Sequence, residues 1–297
     1  MEKQRIGFVG LGLMGKEMTR NLLAHGFPVA GFDIDESKIR ALIQAGGKGI
    51  EKPEMMAGRV DVIMMSLPNS NAVNEAVRKY LQIFETGREG LILIDLTTAD
   101  PFLSKELAED LRKKGMEMLD ATVSGGPGMF AEREVALMVG GKESVFRSCE
   151  GILSSLSKNI IYTGENGSGA LMKLMVNLVG GLNRMVLAEA LSLCKRAGLD
   201  QNLFLEVLRR SPHYSRSLDS KGRKMVKKEF LPPQGKLAFH LKDVRLMLEL
   251  GRKLNFPLPL ASLHAQALTS EVAKGRGEWD NTDIISFYED LGNLGKG

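Results

Sequence analysis

The sequence predicts an α/β domain on a mostly parallel sheet, followed by a long helix that leads into an all-α domain. Three observations carry this. Up to about residue 164, apolar strand-like runs alternate with charged, helix-period stretches. From about residue 169 onward the chain is almost wholly helix-period. The length, 297 residues, suits two domains at ~150 residues each. These place the first domain at residues 1–164 and the second at 165–297.

In chain order, the strand candidates are "RIGFVG", "PVAGFD", "VDVIMMSLP", "LILIDLTT", "MEMLDATVSG", "VALMVGG" and "NIIYTG". Helix-period stretches lie between them at residues 36–45, 70–80, 101–115 and 143–156. Apolar strands alternating with helices indicate a sheet with helices on both faces. The long helix spans about 169–197 and ends at "RAGLD", where Gly198 is a natural C-cap. Further helices are expected at 200–210, 236–254 and 259–275, punctuated by "LPPQG" and "FPLP". No internal repeat or low-complexity tract interrupts the pattern.

Composition narrows the function classes. With 43% hydrophobic and 26% charged residues, the chain can bury an ordinary core without staples. A net charge of +4 fits an anionic small molecule. Aromatics are only 6% and no basic stripe interleaves with them, so no nucleic-acid partner is expected. Cys149 and Cys194 have no spaced partners, which argues against a disulfide framework and a metal site. After "MEKQ" the chain enters a strand directly, and no run approaches the ~18 apolar residues of a membrane span. A soluble, cytoplasmic protein without a membrane partner is expected.

"IGFVGLGLMG" sets Gly10, Gly12 and Gly15 in G-x-G-x-x-G spacing between the first strand and a helix. The first glycine permits the tight turn, the second lets a pyrophosphate approach the backbone, and the third allows close helix–strand packing. Residues Gly10, Leu11, Gly12, Leu13, Met14 and Gly15 would then offer N–H groups to the phosphates at the helix start. Asp33 ends the second strand at close to the ~20-residue spacing expected of the acidic partner. The first domain therefore reads as a Rossmann-type dinucleotide-binding domain. The Asp33 carboxylate can accept from ribose hydroxyls and would repel a 2′-phosphate, which favours NAD over NADP. Lys38 and Arg40 read as a solvated helix face.

Four ordered motifs now combine: the glycine turn, "DATVSGG" (120–126), "GSGALMKLMVN" (167–177) and "HLKDV" (240–244). Together with "SLP", "DLTTADP", "FPLPL" and "GRGEWD" they resemble the β-hydroxyacid dehydrogenase family, which includes 3-hydroxyisobutyrate dehydrogenase and tartronate semialdehyde reductase. The resemblance covers essentially the whole chain. It implies a catalytic role for Lys173 and substrate orientation by Asn177. It makes Ser124, Gly125 and Gly126 the carboxylate-binding turn. It sets Thr98 and Lys242 beside the nicotinamide, and Leu67 and Pro68 near the cofactor. It also implies a homodimer or homotetramer built through the helical domain. The chain departs from the family at Val176, where Asn is frequent, and at Arg133 and Glu134, where Gly and a small polar residue are usual. Thr122 stands where proline is common.

The chemistry explains an ammonium in so apolar a helix. Reducing an aldehyde with a nicotinamide hydride makes an alkoxide unless a proton arrives in step, and a positioned general acid can supply it. Lysine can do so if its pKa falls from ~10.4 towards neutrality. Burial by Leu171, Met172, Leu174 and Met175, and a second cation at Lys242, are the expected causes. Lys173 and Asn177, four apart, share a helix face. The helix-weakening pair Gly180 and Gly181 suggests a close neighbour. A small carboxylate substrate follows: a short 3- or 4-hydroxyacid or its semialdehyde. Arg216 is a candidate for a second anionic group. His213, His240 and His264 read as packing or surface residues, the basic run from Arg216 to Lys228 as a solvated face, and the methionines as core. Two alternatives share the fold, a 6-phosphogluconate-type decarboxylating dehydrogenase and a non-catalytic nucleotide-binding scaffold. Val176 counts against the first and retention of Lys173 against the second.

Overall fold

The computed structural model describes residues 3–216 and 218–294. Its contacts fall into two compact units that meet in sequence at the Lys173–Leu174 bond.

The first unit is built on eight strands: β1 (Ile6–Val9), β2 (Val29–Phe32), β3 (Lys48–Gly49), β4 (Val62–Met65), β5 (Ile92–Asp95), β6 (Glu117–Ser124), β7 (Ala136–Gly140) and β8 (Asn159–Gly164). They lie in the order β3-β2-β1-β4-β5-β6-β7-β8. Every pairing is parallel except β6 with β7, where Asp120 faces Gly140 and Ser124 faces Ala136. The sheet is therefore mostly parallel, as expected, with its last two strands reversed. The strand order changes direction between β1 and β4, and open α/β sheets bind ligands beyond the strand ends at such a point.

Both faces of the sheet are covered, which is why its strands read as unbroken apolar runs rather than alternating ones. In β4, Val62 and Met64 enter one hydrophobic cluster with Ile6, Phe8 and Ile94. Ile63 and Met65 enter another with Val9, Leu93 and Leu107. The expected helix at 143–156 is two helices, Glu143–Ser148 and Glu150–Leu156, broken at the buried Cys149.

The second unit is helical. The linking helix, Ser168–Arg196, is continuous over 29 residues. Gln201–Arg209, Leu237–Lys253 and Pro259–Glu271 follow, and a helix at Ile284–Leu291 is one the periodicity did not reveal. Their core gathers Leu174, Leu187, Leu191, Leu241, Val244, Leu268 and Ile284.

One expectation needs correction. Among the described residues the linking helix, at 29 residues, is long and apolar enough to cross a membrane. Its apolarity has another source. Ala170 belongs to the buried interior, Leu174, Met185, Leu187, Ala188 and Leu191 join the helical core, and an exposed apolar stripe runs beside them.

Candidate active site

The nucleotide turn has the geometry its glycines require. Gly10 adopts φ 90°, in the left-handed region, and a Cβ there would collide with the Ser66 carbonyl. A Cβ on Gly15 would strike the Gly10 carbonyl, so the helix Leu13–Ala24 can begin this close to β1 only with glycine. Gly12, its N-cap, faces open space and makes no side-chain cap, which leaves the helix start to a ligand. Leu11 is buried, Leu13 is exposed and Met14 lies between.

Asp33 is held beside this turn. Its Oδ2 accepts from the Leu11 N–H at 2.7 Å and its Oδ1 from the Asp35 N–H at 2.9 Å. The carboxylate is thus fixed before any ribose arrives. Lys38 Nζ lies 3.3 Å from Asp33 Oδ1, so Lys38 is half-exposed and also reaches this carboxylate. Arg40 is paired with Glu36 on an exposed face. The open cradle at Gly12 and the anchored Asp33 fit a nicotinamide dinucleotide.

Beyond β4 and β5, Leu67 and Thr98 are partly buried and Pro68 is exposed. The residue that ties these loops together is Thr97, which sequence reasoning missed. Its buried Oγ1 accepts from the Leu67 N–H at 3.1 Å, while its own N–H donates to Asp95 Oδ1 at 2.9 Å.

Ser124 ends β6, and Gly125 adopts φ 141°. A Cβ at Gly125 would sit 2.8 Å from Val135 Cγ1, so the turn cannot carry a side chain there without moving its support. Gly126 faces open space and precedes the short helix Pro127–Ala131.

The same strand fixes the start of the linking helix. Asp120, buried in β6, accepts from the Gly167 N–H at 2.8 Å and from the Ala170 N–H at 2.9 Å. Burial pushes this carboxyl up, against the pull of those backbone donors. Thr122 Oγ1 donates to the Gly169 carbonyl at 2.7 Å, and a Cβ on Gly169 would strike the Asp120 carbonyl. In an α-helix the carbonyl of residue 169 also receives the N–H of residue 173. Thr122, a departure from the family pattern, therefore touches the backbone turn that carries Lys173.

Lys173 is buried, with 9% of its surface exposed. Its expected apolar wrapping is only partly present: Leu174 is fully buried, whereas Leu171, Met172 and Met175 are exposed. One turn on, Asn177 Nδ2 donates to Asp243 Oδ2 at 2.9 Å. Asp243 Oδ1 lies 3.0 Å from Lys242 Nζ, outside hydrogen-bond geometry. Asp243, quoted within "HLKDV" but given no role there, is thus the carboxylate that joins Asn177 to Lys242.

Gly181 continues the Asn177 face, and a Cβ on it would lie 2.7 Å from His240 Nε2 and 2.8 Å from His264 Cε1. The close neighbour suggested by the glycine pair exists at Gly181, while Gly180 meets only the tip of Arg184. Arg184 Nη2 donates to His240 Nε2 at 2.8 Å, and the two histidine rings lie 5.0 Å apart. Burial brings the Arg184 guanidinium down to about 10 against the pull of Asp280 and Asp243. His240 and His264 are thus packing residues, within a charged core. His213 and Arg216 are exposed.

Comparison with known proteins matches residues 5–164 to the NAD binding domain of 6-phosphogluconate dehydrogenase. Residues 167–288 match the NAD-binding region of NADP-dependent 3-hydroxyisobutyrate dehydrogenase. The chain is 32% identical to 2-(hydroxymethyl)glutarate dehydrogenase of Eubacterium barkeri, over 98% of this chain and 97% of the relative. It is 31% identical to mitochondrial 3-hydroxyisobutyrate dehydrogenase of Homo sapiens, over 97% and 88%. The crystal structure of 3-hydroxyisobutyrate dehydrogenase from Salmonella typhimurium superposes with TM-score 0.86 at 26% identity, covering 96% of this chain and 99% of that one. By these matches the protein belongs to the β-hydroxyacid dehydrogenase family, as an NAD(P)-dependent hydroxyacid dehydrogenase.

Proposed function

We propose that this enzyme oxidises a small 3- or 4-hydroxyacid, or reduces the matching semialdehyde, with Lys173 as general acid and base. The observation that carries the reading is a lysine held almost out of solvent, on a helical turn fixed by Asp120 and Thr122. The bound dinucleotide supplies or accepts the hydride. The N–H groups of Gly12, Leu13, Met14 and Gly15 bind its pyrophosphate, since those of Gly10 and Leu11 already donate to the Phe32 carbonyl and to Asp33, and Asp33 accepts from its ribose hydroxyls. Leu67, Pro68 and Thr98 shape the rest of the cofactor site. The Ser124–Gly126 turn presents backbone N–H groups to the substrate carboxylate, with open space in front of Gly126. Lys173 Nζ gives a proton to the reacting oxygen during reduction and takes it back during oxidation. Asn177, oriented by Asp243, keeps that oxygen or its neighbour in place.

Both named relatives act on carboxylates that carry a primary alcohol on the carbon next but one to the carboxyl carbon, which supports the 3-hydroxyacid class. The Eubacterium relative's substrate has a second carboxylate, for which Arg216 is the candidate partner here. A screen at 340 nm of C3–C6 hydroxyacids and semialdehydes with both cofactors tests the class; no turnover with any of them would end it. Lys173→Met should keep NADH binding while kcat falls by ~10²–10⁴, as for a lost acid–base group. A variant with most of its kcat would remove Lys173 from that role. Arg216→Ala should raise KM more for dicarboxylic than for monocarboxylic substrates.

A further inference from the structure

The helix that starts at the nucleotide turn ends on the loop that follows Ser124–Gly126. Asn21 Nδ2, in a buried contact, donates to the Phe130 carbonyl at 2.9 Å. His25 Nδ1 lies 2.8 Å from the Asn21 carbonyl, and its Nε2 lies 2.9 Å from Arg133 Nη1. A guanidinium only donates, so Nε2 accepts and the ring hydrogen sits on Nδ1, pointing at Asn21. Both ring nitrogens therefore have one defined role.

Arg133 occupies this place at a cost. Its φ is 56°, a left-handed conformation unfavourable to a long side chain, and its buried Nε has no hydrogen-bond partner. Its carbonyl accepts from the Lys158 N–H at 3.0 Å, which ties the loop to the chain just before β8. The glycine turn rests on this loop from both ends. A Cβ at Gly125 would meet Met129 Sδ at 3.1 Å before Arg133 and Val135 Cγ1 at 2.8 Å after it.

We infer that Asn21, His25 and Arg133 are positioning residues that hold the Ser124–Gly126 turn in register with the nucleotide-binding helix. Substrate carboxylate affinity then depends on a contact that no substrate atom touches. The inference rests on the reading of that turn as the carboxylate site.

Arg133→Gly removes the guanidinium and supplies the residue that adopts this φ without strain. The Tm should hold or rise, and NADH affinity by fluorescence titration should stay unchanged. KM for the hydroxyacid should rise about fivefold, the scale of one lost hydrogen bond, with kcat less affected. His25→Ala should reproduce the rise, and the double variant should add little to it. His25→Gln, whose amide oxygen can accept from Arg133, should recover most of the affinity. An unchanged KM in Arg133→Gly overturns the inference. So does a rise in KM that comes with parallel losses of Tm and NADH affinity, which marks a purely structural contact. Ser124→Ala and Gly125→Ala separate the two layers. If they raise KM and Arg133→Gly does not, only the positioning role fails; if they leave KM alone, the carboxylate reading fails and takes this inference with it.

Discussion

At the scale of single residues, Lys38 changes what Asp33 can do. A carboxylate alone at the end of β2 would exclude a 2′-phosphate, whereas Lys38 Nζ, 3.3 Å away, brings a cation to the same spot. We expect NAD to remain preferred, because the Leu11 and Asp35 N–H groups keep Asp33 in place and ionic contacts of half-exposed lysines are weak. Lys38→Met should lower kcat/KM and binding affinity for NADP more than for NAD, by up to about fivefold. Equal losses with both cofactors would remove Lys38 from the specificity argument. Asp33 was legible because its spacing from the glycine turn is regular. The reach of Lys38 was not, because it follows from where the next helix begins: Asp35 caps Glu36–Gln44 by accepting from the Ser37 N–H, which turns residue 38 back towards the strand end. The burial of Lys173 was also legible, though not its cause, since three of the four expected neighbours are exposed.

At the scale of elements, the apolar strands announced themselves, and the reversal of β7 did not. A short buried run carries no mark of its direction. The two-residue β3 is too brief to leave a periodic trace. Contacts across long sequence separations were equally hidden: nothing in "DATVSGG" marks Asp120 and Thr122 as partners of residues 167–170. The Gly181 contact has a measurable consequence. Burial, helped by Arg184, pushes His264 from 6.5 down to about 4, so the native state keeps it neutral. As pH falls from about 6.5 towards 4, the unfolded chain takes up a proton that the native chain refuses, and stability is lost through that window. His264→Phe should flatten the fall of Tm between those pH values by a few degrees or more and change little at pH 8. A slope identical to that of the parent would show that His264 is protonated in the native state.

At the scale of the whole molecule, the linking helix carries an exposed apolar stripe: Met172, Val179, Val186 and Leu193 recur every seven residues at 44%, 60%, 66% and 69% exposure. A heptad stripe is the seam by which helices pair. We therefore expect a homodimer or homotetramer formed through the helical unit. Light scattering at micromolar concentration should return a multiple of 32.5 kDa, and Val179→Lys with Val186→Lys should shift it to that mass. A parent protein already at 32.5 kDa would refute the expectation. The Asp120 clamp bears on how the chain can be dissected. Motif reading ends the first domain at Gly164, yet residues 165–173 belong with the sheet by contact, and two of their N–H groups serve a carboxylate within it. A fragment cut at Gly164 would take both donors from that carboxylate. A fragment running to Lys173 would keep them. The point at which the chain can be severed is therefore set by an acid in the sheet, and it falls inside a helix rather than in the loop before it.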